Sequence, residues 1–289
     1  MKLCLSCKTQ FENSEWICNS CGHTSIQRNG RILFAPELLE GCNGFESSYF
    51  EQLAKLEASN FWFCARNNLL MWVIHKYFHN VKSFFEIGCG TGFVLSRVEK
   101  EFPHLDTFGS DIFYEGLDIT AKRLSKAKLF QMDARNIPFI NEFDLMGAFD
   151  VLEHIEEDTK VLGELYKATK PGGGIILTIP QHEFLWSKYD EYSHHVRRYN
   201  AVELRSKVES CGFTILKITS FVSLLLPLVY LFRMKWRNTE REYDSMSQYN
   251  IGALTNNLLE KVLNFEHAMI KTGISFPVGS SLLLVARKS

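Results

Sequence analysis

Residues 84–93 read FFEIGCGTGF, and this stretch constrains the fold more than any other part of the chain. Its glycines, Gly88, Gly90 and Gly92, directly follow a short apolar run that is typical of a buried strand. Glycine lets the backbone turn sharply and lets a ligand approach without a Cβ in the way. The spacing G-x-G-x-G differs from the G-x-G-x-x-G of dinucleotide binders, and no phosphate-cradling lysine follows. Because a tight turn without a ligand also fits this loop, residues at the other strand ends decide between the two interpretations.

Strand and helix patterns alternate along most of the chain. Strands are predicted at residues 83–88, 105–111, 127–132, 143–149, 173–179, 213–219 and 281–287. Helices are predicted to begin near residues 92, 114, 157 and 201. This alternation predicts an α/β fold, in which a mostly parallel seven-stranded sheet is covered by helices on both faces. Ligands of such sheets bind beyond the carboxyl ends of the strands.

Acidic residues follow three successive predicted strands. Asp111 ends the second strand, where a carboxylate can accept hydrogen bonds from both hydroxyls of a ribose. Asp133 follows the third strand and can accept a hydrogen bond from an adenine amino group, with Ile112 and Ala134 placed to sandwich the base. Asp150 follows the fourth strand. Glycines and then three acids at consecutive strand ends predict a site for a nucleoside-bearing ligand.

The motifs EIGCGTG, SDI, MDA, FDVLEHIE and KPGGGIILTIP together resemble those of class I S-adenosylmethionine-dependent methyltransferases. The resemblance covers about residues 60–217 and the last strand, and VLEHI is similar to the ubiquinone-type (type 11–12) subgroup. It implies a Rossmann-like fold, a final strand that reverses the sheet direction, and S-adenosylmethionine as the cofactor. The methionine moiety would lie against Glu86 and the glycine loop, and near Asp150. The implied cofactor-binding residues are Glu86, Gly88, Cys89, Gly90, Gly92, Asp111, Ile112, Asp133, Ala134 and Asp150.

Two histidines are candidate catalytic residues, because an oxygen or nitrogen acceptor must lose a proton. His154 lies four residues after Asp150, where a capping or supporting role fits equally well. His195 lies in residues 189–204, YDEYSHHVRRYNAVEL, which resemble a segment that closes over the acceptor in related methyltransferases.

Four further residues of that segment are predicted to bind the acceptor. They are Asp190, Arg197, Arg198 and Tyr199. The arginines can bind a carboxylate or a phosphate. The alternative is that they form ion pairs with Asp190 and Glu191.

The first 30 residues contain two cysteine pairs, Cys4-x-x-Cys7 and Cys18-x-x-Cys21. This spacing resembles a zinc ribbon and predicts a structural zinc, since four thiolates fill a tetrahedral shell. Two disulfides or idle thiols are the alternative. The predicted domains are therefore a zinc ribbon at 1–30, a connector at 31–59 and a methyltransferase domain at 60–289.

Residues 218–272 are predicted to form a helical insertion before the last strand. An apolar run containing Pro227 is followed by Arg233, Lys235, Arg237 and Arg241. It fits either a buried helix pair or a helix at a membrane surface. Such an insertion favours an apolar, lipid-like or lipid-linked acceptor. The predicted function is methyl transfer to a small molecule, with a lipid-linked or a glycan-linked acceptor as the alternatives.

Composition limits the remaining alternatives. The formal net charge of −1 provides no general basic field, which argues against nucleic acid as the substrate. An RNA methyltransferase that uses the ribbon, and a non-catalytic cofactor-binding scaffold, stay as alternatives, whereas the glycine spacing disfavours a nicotinamide oxidoreductase. Neither a signal-peptide pattern nor an apolar run of about 18–20 residues is found, so a cytoplasmic protein with peripheral membrane contact at most is expected.

Overall fold

The computed structural model describes residues 1–13, 15–39, 47–237, 246, 249 and 251–289. The strands are β1 (Lys2–Leu3), β2 (Gln10–Phe11), β3 (Ile26–Arg28), β4 (Arg31–Leu33), β5 (Ser83–Ile87), β6 (Asp106–Asp111), β7 (Lys128–Gln131), β8 (Phe143–Phe149), β9 (Thr169–Pro180), β10 (Phe213–Phe221) and β11 (Ser281–Lys288). The α-helices are α1 (Ser47–Leu56), α2 (Phe61–Tyr77), α3 (Phe93–Glu101), α4 (Tyr114–Arg123), α5 (Asp158–Ala168), α6 (Lys188–Tyr192), α7 (Ala201–Ser210), α8 (Leu226–Arg237) and α9 (Ala253–Lys271).

The central sheet has the order β10-β11-β9-β8-β5-β6-β7-β4-β3. Strands β5 to β9 are parallel, and β11 runs antiparallel to both of its neighbours, as expected for the reversed last strand. All seven predicted strands are present, but the predicted number is wrong, because the described residues form nine. The two additional strands are the hairpin β3–β4, whose β4 pairs in parallel with β7. Each has only three residues, too few for a sequence pattern to identify.

Side-chain alternation along the strands creates the two helical layers. Phe84 belongs to the core that includes buried side chains of α2, α3, α4 and α9. Its neighbour Phe85 belongs to the core on the other face, with α5 and α7. Both phenylalanines are fully buried. Because consecutive strand residues point to opposite faces, a short FF pair can anchor both layers.

The cysteine-rich module packs on the edge of this sheet. The Trp16 ring lies edge-on to Phe34, with 4.4 Å between ring centroids, and to Phe139 at 5.3 Å. Lys2 lies over the Trp16 ring, 4.7 Å from its centroid. Together with the β4–β7 pairing, these contacts fasten the module to the main domain.

The predicted helical insertion contains α8 and α9, which lie between β10 and β11. Val222, at φ +58°, turns the chain after β10, and Pro227 occupies the first turn of α8, where its missing N–H costs nothing. Arg241 lies outside the described residues. Within the described ranges, no helix combines the length and the apolar character needed to cross a bilayer.

We expect Gly174→Ala to destabilise the protein by about 2–3 kcal/mol, because a buried site without free volume cannot take another methyl group. A Cβ at this position of β9 would meet the Phe78 ring and, at 2.5 Å, the Ala286 carbonyl oxygen. Gly163→Ala is the matched control, because no described atom lies within 4 Å of its Cβ position in α5. There alanine should stabilise the helix by about 0.5–1 kcal/mol. Denaturant unfolding measures the stability of both variants. Equal stabilities would contradict the close packing described around Gly174.

Candidate functional site

A cleft of about 1120 Å³ opens at the carboxyl ends of β5, β6, β7 and β8. Gly88, Asp111, Asp133 and Asp150, one residue from each of these strand ends, all line it. In open parallel sheets this edge is where ligands bind. Of the ten residues predicted to bind the cofactor, the described lining includes all except Gly92.

The three glycines of the loop serve different purposes. All three have positive φ: Gly88 at +68°, Gly90 at +52° and Gly92 at +72°. A Cβ at Gly88 would lie 2.5 Å from Val151 Cγ2, and one at Gly92 would lie 2.7 Å from Thr120 Cγ2. No described atom lies within 4 Å of the Cβ position of Gly90. Gly90 therefore leaves its backbone open to the cleft, where a ligand can approach it closely.

Asp111 joins the second strand end to the glycine loop. Its Oδ2 accepts a hydrogen bond from the Gly90 N–H at 2.8 Å, and its Oδ1 accepts one from the Phe113 N–H at 2.9 Å. The residue is 7% exposed, and burial raises the pKa of its carboxyl to about 6, although both hydrogen bonds favour the charged form. Because each oxygen keeps acceptor capacity, the carboxylate can still bind two ligand hydroxyls.

Glu86 lies behind the loop on β5. It is buried, and its Oε2 has no hydrogen-bond partner among the described residues. Burial raises the pKa of this carboxyl well above its usual range. Such a group remains available to a polar ligand in the cleft.

Asp133 already has a partner of its own. The Nε of Arg135 donates to both carboxylate oxygens at 3.0 Å, and Arg135 also pairs with Glu157 at 3.1 Å. Ile112 and Ala134 line the cleft on this side. The arginine fixes the orientation of the carboxylate at the position predicted to face an adenine.

Asp150 has φ +58° and forms an ion pair with Arg66. The Arg66 guanidinium lies 4.5 Å from the centroid of the Trp62 ring, and both residues line the cleft from α2. A cationic group stacked on an aromatic ring is held rigidly. Arg66 thereby connects α2 to the fourth strand end.

Glu57 is a site residue that sequence reasoning did not identify. It is buried just after α1, where it accepts hydrogen bonds from Thr91 Oγ1 at 2.8 and 2.9 Å and pairs with Arg123. Thr91 belongs to the glycine loop, so these contacts hold the end of α1 against that loop. The sequence signal is only an acid at a helix end, because the partners lie far apart in the chain.

At the other end of the cleft, Asp190 holds two cationic or ionisable side chains. It accepts from His195 Nδ1 at 2.9 Å and from Arg198 Nε at 2.8 Å, and it lies behind the described lining. Burial opposes its ionisation, but the hydrogen bond from His195 and the charges of Arg198 and Arg233 lower its pKa to about 2. Asp190 therefore positions His195 and Arg198, both of which line the cleft.

The two candidate catalytic histidines meet at this end. The ring centroids of His154 and His195 are 4.7 Å apart, and the two ring planes are nearly perpendicular. Burial, followed by the neighbouring His195, lowers the pKa of His154 to about 3. His154 is thus neutral at physiological pH and a weak proton acceptor.

The structure places two predicted acceptor-binding residues elsewhere. Arg197 pairs with Asp158 at 2.7 Å and with Glu156 at 3.0 Å, and Tyr199 donates to Asp158 at 2.7 Å. Neither is among the described lining of the cleft. The cause is the alternation of an extended segment, which points Arg198 inward and its two neighbours to the opposite side.

Helices α8 and α9 form an apolar wall over the cleft. The lining residues from these helices include Leu228, Val229, Phe232 and Leu259. Leu231 of α8 and Leu254 of α9 are 66% and 89% exposed, so the wall continues as apolar side chains on the outer surface.

The four cysteines of the N-terminal module also come together. Their Sγ atoms all lie within 4.8 Å of one another, with 3.7 Å between Cys4 and Cys21 and 3.6 Å between Cys7 and Cys18. The thiols are not bonded as disulfides. Sulfurs placed about 2.3 Å from one zinc are about 3.7–3.8 Å apart in a tetrahedron, so the cluster fits that ion.

Known proteins share the central part of this architecture. The family model described as "Methyltransferase domain" matches residues 85–175. Phosphoethanolamine N-methyltransferase 2 of Caenorhabditis elegans is 32% identical over 104 residues, which are 34% of this chain and 24% of that protein. The biotin biosynthesis bifunctional protein BioHC of Teredinibacter turnerae is 25% identical over 174 residues, 53% of this chain and 30% of that protein. The chain thus spans less than a third of the length of either relative.

A solved structure of Haemonchus contortus phosphoethanolamine N-methyltransferase 2, in complex with S-adenosyl-L-methionine, has the same fold. The TM-score is 0.58 at 17% identity, over 86% of this chain and 58% of that one. Residues 85–175 therefore match a methyltransferase domain, and the chain has the fold of a methyltransferase that binds S-adenosyl-L-methionine.

Proposed function

We propose that this protein transfers a methyl group from S-adenosylmethionine to a small-molecule acceptor. The observation that carries the proposal is the joint placement of the open Gly90 backbone, the buried Asp111 carboxylate and Glu86 in one cleft. Asp111 would hold the ribose hydroxyls, and Glu86 and the glycine loop would hold the amino-acid end of the cofactor. When bound, the cofactor supplies an activated methyl group on a sulfonium, so the chain mainly has to align the acceptor and exclude water.

The acceptor is proposed to lie between the histidine end of the cleft and the apolar wall of α8 and α9. Arg198 supplies a buried cation there, and Leu228 and Phe232 supply apolar contacts. A small molecule with an apolar, lipid-like part fits both features. A glycan-linked acceptor would gain little from the leucines of this wall.

A structural zinc in the N-terminal module is part of the same proposal. The cysteine cluster has the donor set and the spacing for a closed tetrahedral site, so the ion would stabilise the module without taking part in chemistry.

Two measurements on the full chain test the proposed activity. Calorimetry should show saturable binding of S-adenosylmethionine. Radiolabel from methyl-labelled cofactor should then appear in one component of a panel of acceptors that includes lipid extracts. If the cofactor neither binds nor protects the protein from thermal unfolding, the proposal is wrong.

Cofactor affinity should depend on pH through Asp111. The pKa of this carboxyl is raised to about 6 in the folded protein, so it becomes protonated as the pH falls through that value and loses acceptor capacity. We expect affinity to fall by up to about tenfold per pH unit below pH 6, following proton linkage. Calorimetry between pH 5 and 8 measures this, and Asp111→Asn should remove the step. An affinity that is flat in the unaltered protein would contradict the assignment.

A further inference from the structure

Glu153 is a buried acid at the histidine end of the cleft. It belongs to the short 3-10 helix Leu152–His154, is 0% exposed and lines the cleft. Neither of its carboxyl oxygens has a hydrogen-bond partner among the described residues. A buried carboxyl without partners is costly, so it calls for an occupant on the cleft side.

The neighbouring His195 directs a lone pair toward the same point. Asp190 is ionised and can only accept, so Nδ1 of His195 must donate to it. In the neutral ring Nε2 then carries the lone pair. It lies 4.0 Å from Glu153 Oε1, which is too far for a direct hydrogen bond.

His154 completes a set of three donors. One ligand atom each from Glu153, His154 and His195 lies within 4.8 Å of the other two. A cation between them would interact favourably with each of these three ligand atoms.

We propose that Glu153, His154 and His195 bind a divalent transition-metal ion at the acceptor end of the cleft. One oxygen and two nitrogen donors suit Mn²⁺, Fe²⁺, Co²⁺ or Zn²⁺ better than Mg²⁺ or Ca²⁺. Donors about 2.1 Å from one ion are about 3–3.5 Å apart, so the three side chains would close by about an ångström. Asp190 is the outer carboxylate that orients a ligating histidine, an arrangement common to metal sites.

The role of this ion rests on the proposed function, because the ion would bind the acceptor of the methyl group. With three protein donors, the ion would keep a position open to the cleft, where an acceptor hydroxyl could bind. Binding would lower the pKa of that hydroxyl, and its proton would pass to water. His154 and His195 would then act as ligands and not as proton acceptors.

The test is a Mn²⁺ titration of the full chain, followed by the electron paramagnetic resonance signal of free Mn²⁺, which needs no activity. Mn²⁺ is a poor partner for thiolates, so the cysteine cluster should not contribute. One ion per chain is expected. Glu153→Gln and His154→Asn should each weaken binding at least about tenfold, and Asp190→Asn about 10–100-fold. Glu156→Gln is the matched control, because this neighbouring lining residue has a 73% exposed side chain and should bind Mn²⁺ as the unaltered protein does.

Two outcomes would overturn the metal site: no saturable binding of Mn²⁺ or Co²⁺, or equal affinity in the unaltered protein and in folded Glu153→Gln and His154→Asn. Thermal melting establishes that the variants are folded. Calorimetry with S-adenosylmethionine on the same samples separates the two proposals. Cofactor binding without metal binding would contradict the metal site alone. Metal binding without cofactor binding would support the metal site and contradict the proposed function.

Discussion

Asp111→Ala is expected to reduce the affinity for S-adenosylmethionine by about 100-fold or more. Hydrogen bonds to a charged group contribute about 1.5–3 kcal/mol each, and two would be lost with the carboxylate. The substitution also removes the acceptor for the Gly90 N–H, so the glycine loop loses its tie to β6. Isothermal titration calorimetry measures the change directly.

Asp106→Ala is the matched control for that experiment. Asp106 begins the same strand that Asp111 ends, and its side chain is exposed. We expect its removal to leave cofactor affinity unchanged. Equal affinities for Asp111→Ala and Asp106→Ala, with both proteins folded, would show that the ribose is not bound at the end of β6.

Loss of the cysteine cluster is expected to lower the melting temperature of the whole protein by about 10 °C, because a structural zinc contributes several kcal/mol of folding energy. The module's own buried apolar core is small, consisting of Cys4, Phe11 and Cys18 with the half-buried Trp16 against it. Without the ion, Trp16 would lose its place against Phe34, and the β4–β7 pairing would weaken. The double variant Cys4→Ser with Cys18→Ser, followed by differential scanning calorimetry, tests this.

Cys211→Ser is the control for the cluster, since Cys211 is a free thiol outside the cluster, at the end of α7. Its melting temperature should match that of the unaltered protein. Elemental analysis should find the zinc of the cluster in the unaltered protein, and the double variant should contain one zinc per chain fewer. A chain that contains no zinc, or a double variant that melts normally, would contradict a structural role for the ion.

The sequence predicted those parts of the fold and the site that depend on short-range patterns. The glycine loop and Asp111 were predictable because each lies directly at a strand end, and strand ends meet at one edge of a parallel sheet. Glu57 was not, because its function depends on Arg123, 66 residues away. Arg197 and Arg198 could not be distinguished, because a register of one residue decides which of them faces the cleft.

The sequence did not predict the hairpin β3–β4, for a different reason. Its strands are three residues long, and their side chains, exposed or half-exposed except for the buried Leu33, give no alternation in the sequence. Their position is set by Phe34, Trp16 and Phe139, which meet only after the sheet has formed. Glu153 was likewise not predicted from the sequence, because its lack of hydrogen-bond partners is a property of the folded cleft.

The pairing of β4 with β7 also limits how the chain can be shortened. If the residues before Phe34 were removed, the amide and carbonyl groups of β7 would face water as a bare edge, next to the aromatic ring of Phe130. Such an edge recruits a strand from any second copy that it meets. A shortened protein that begins at Phe34 would consequently tend to aggregate, even with an intact cleft.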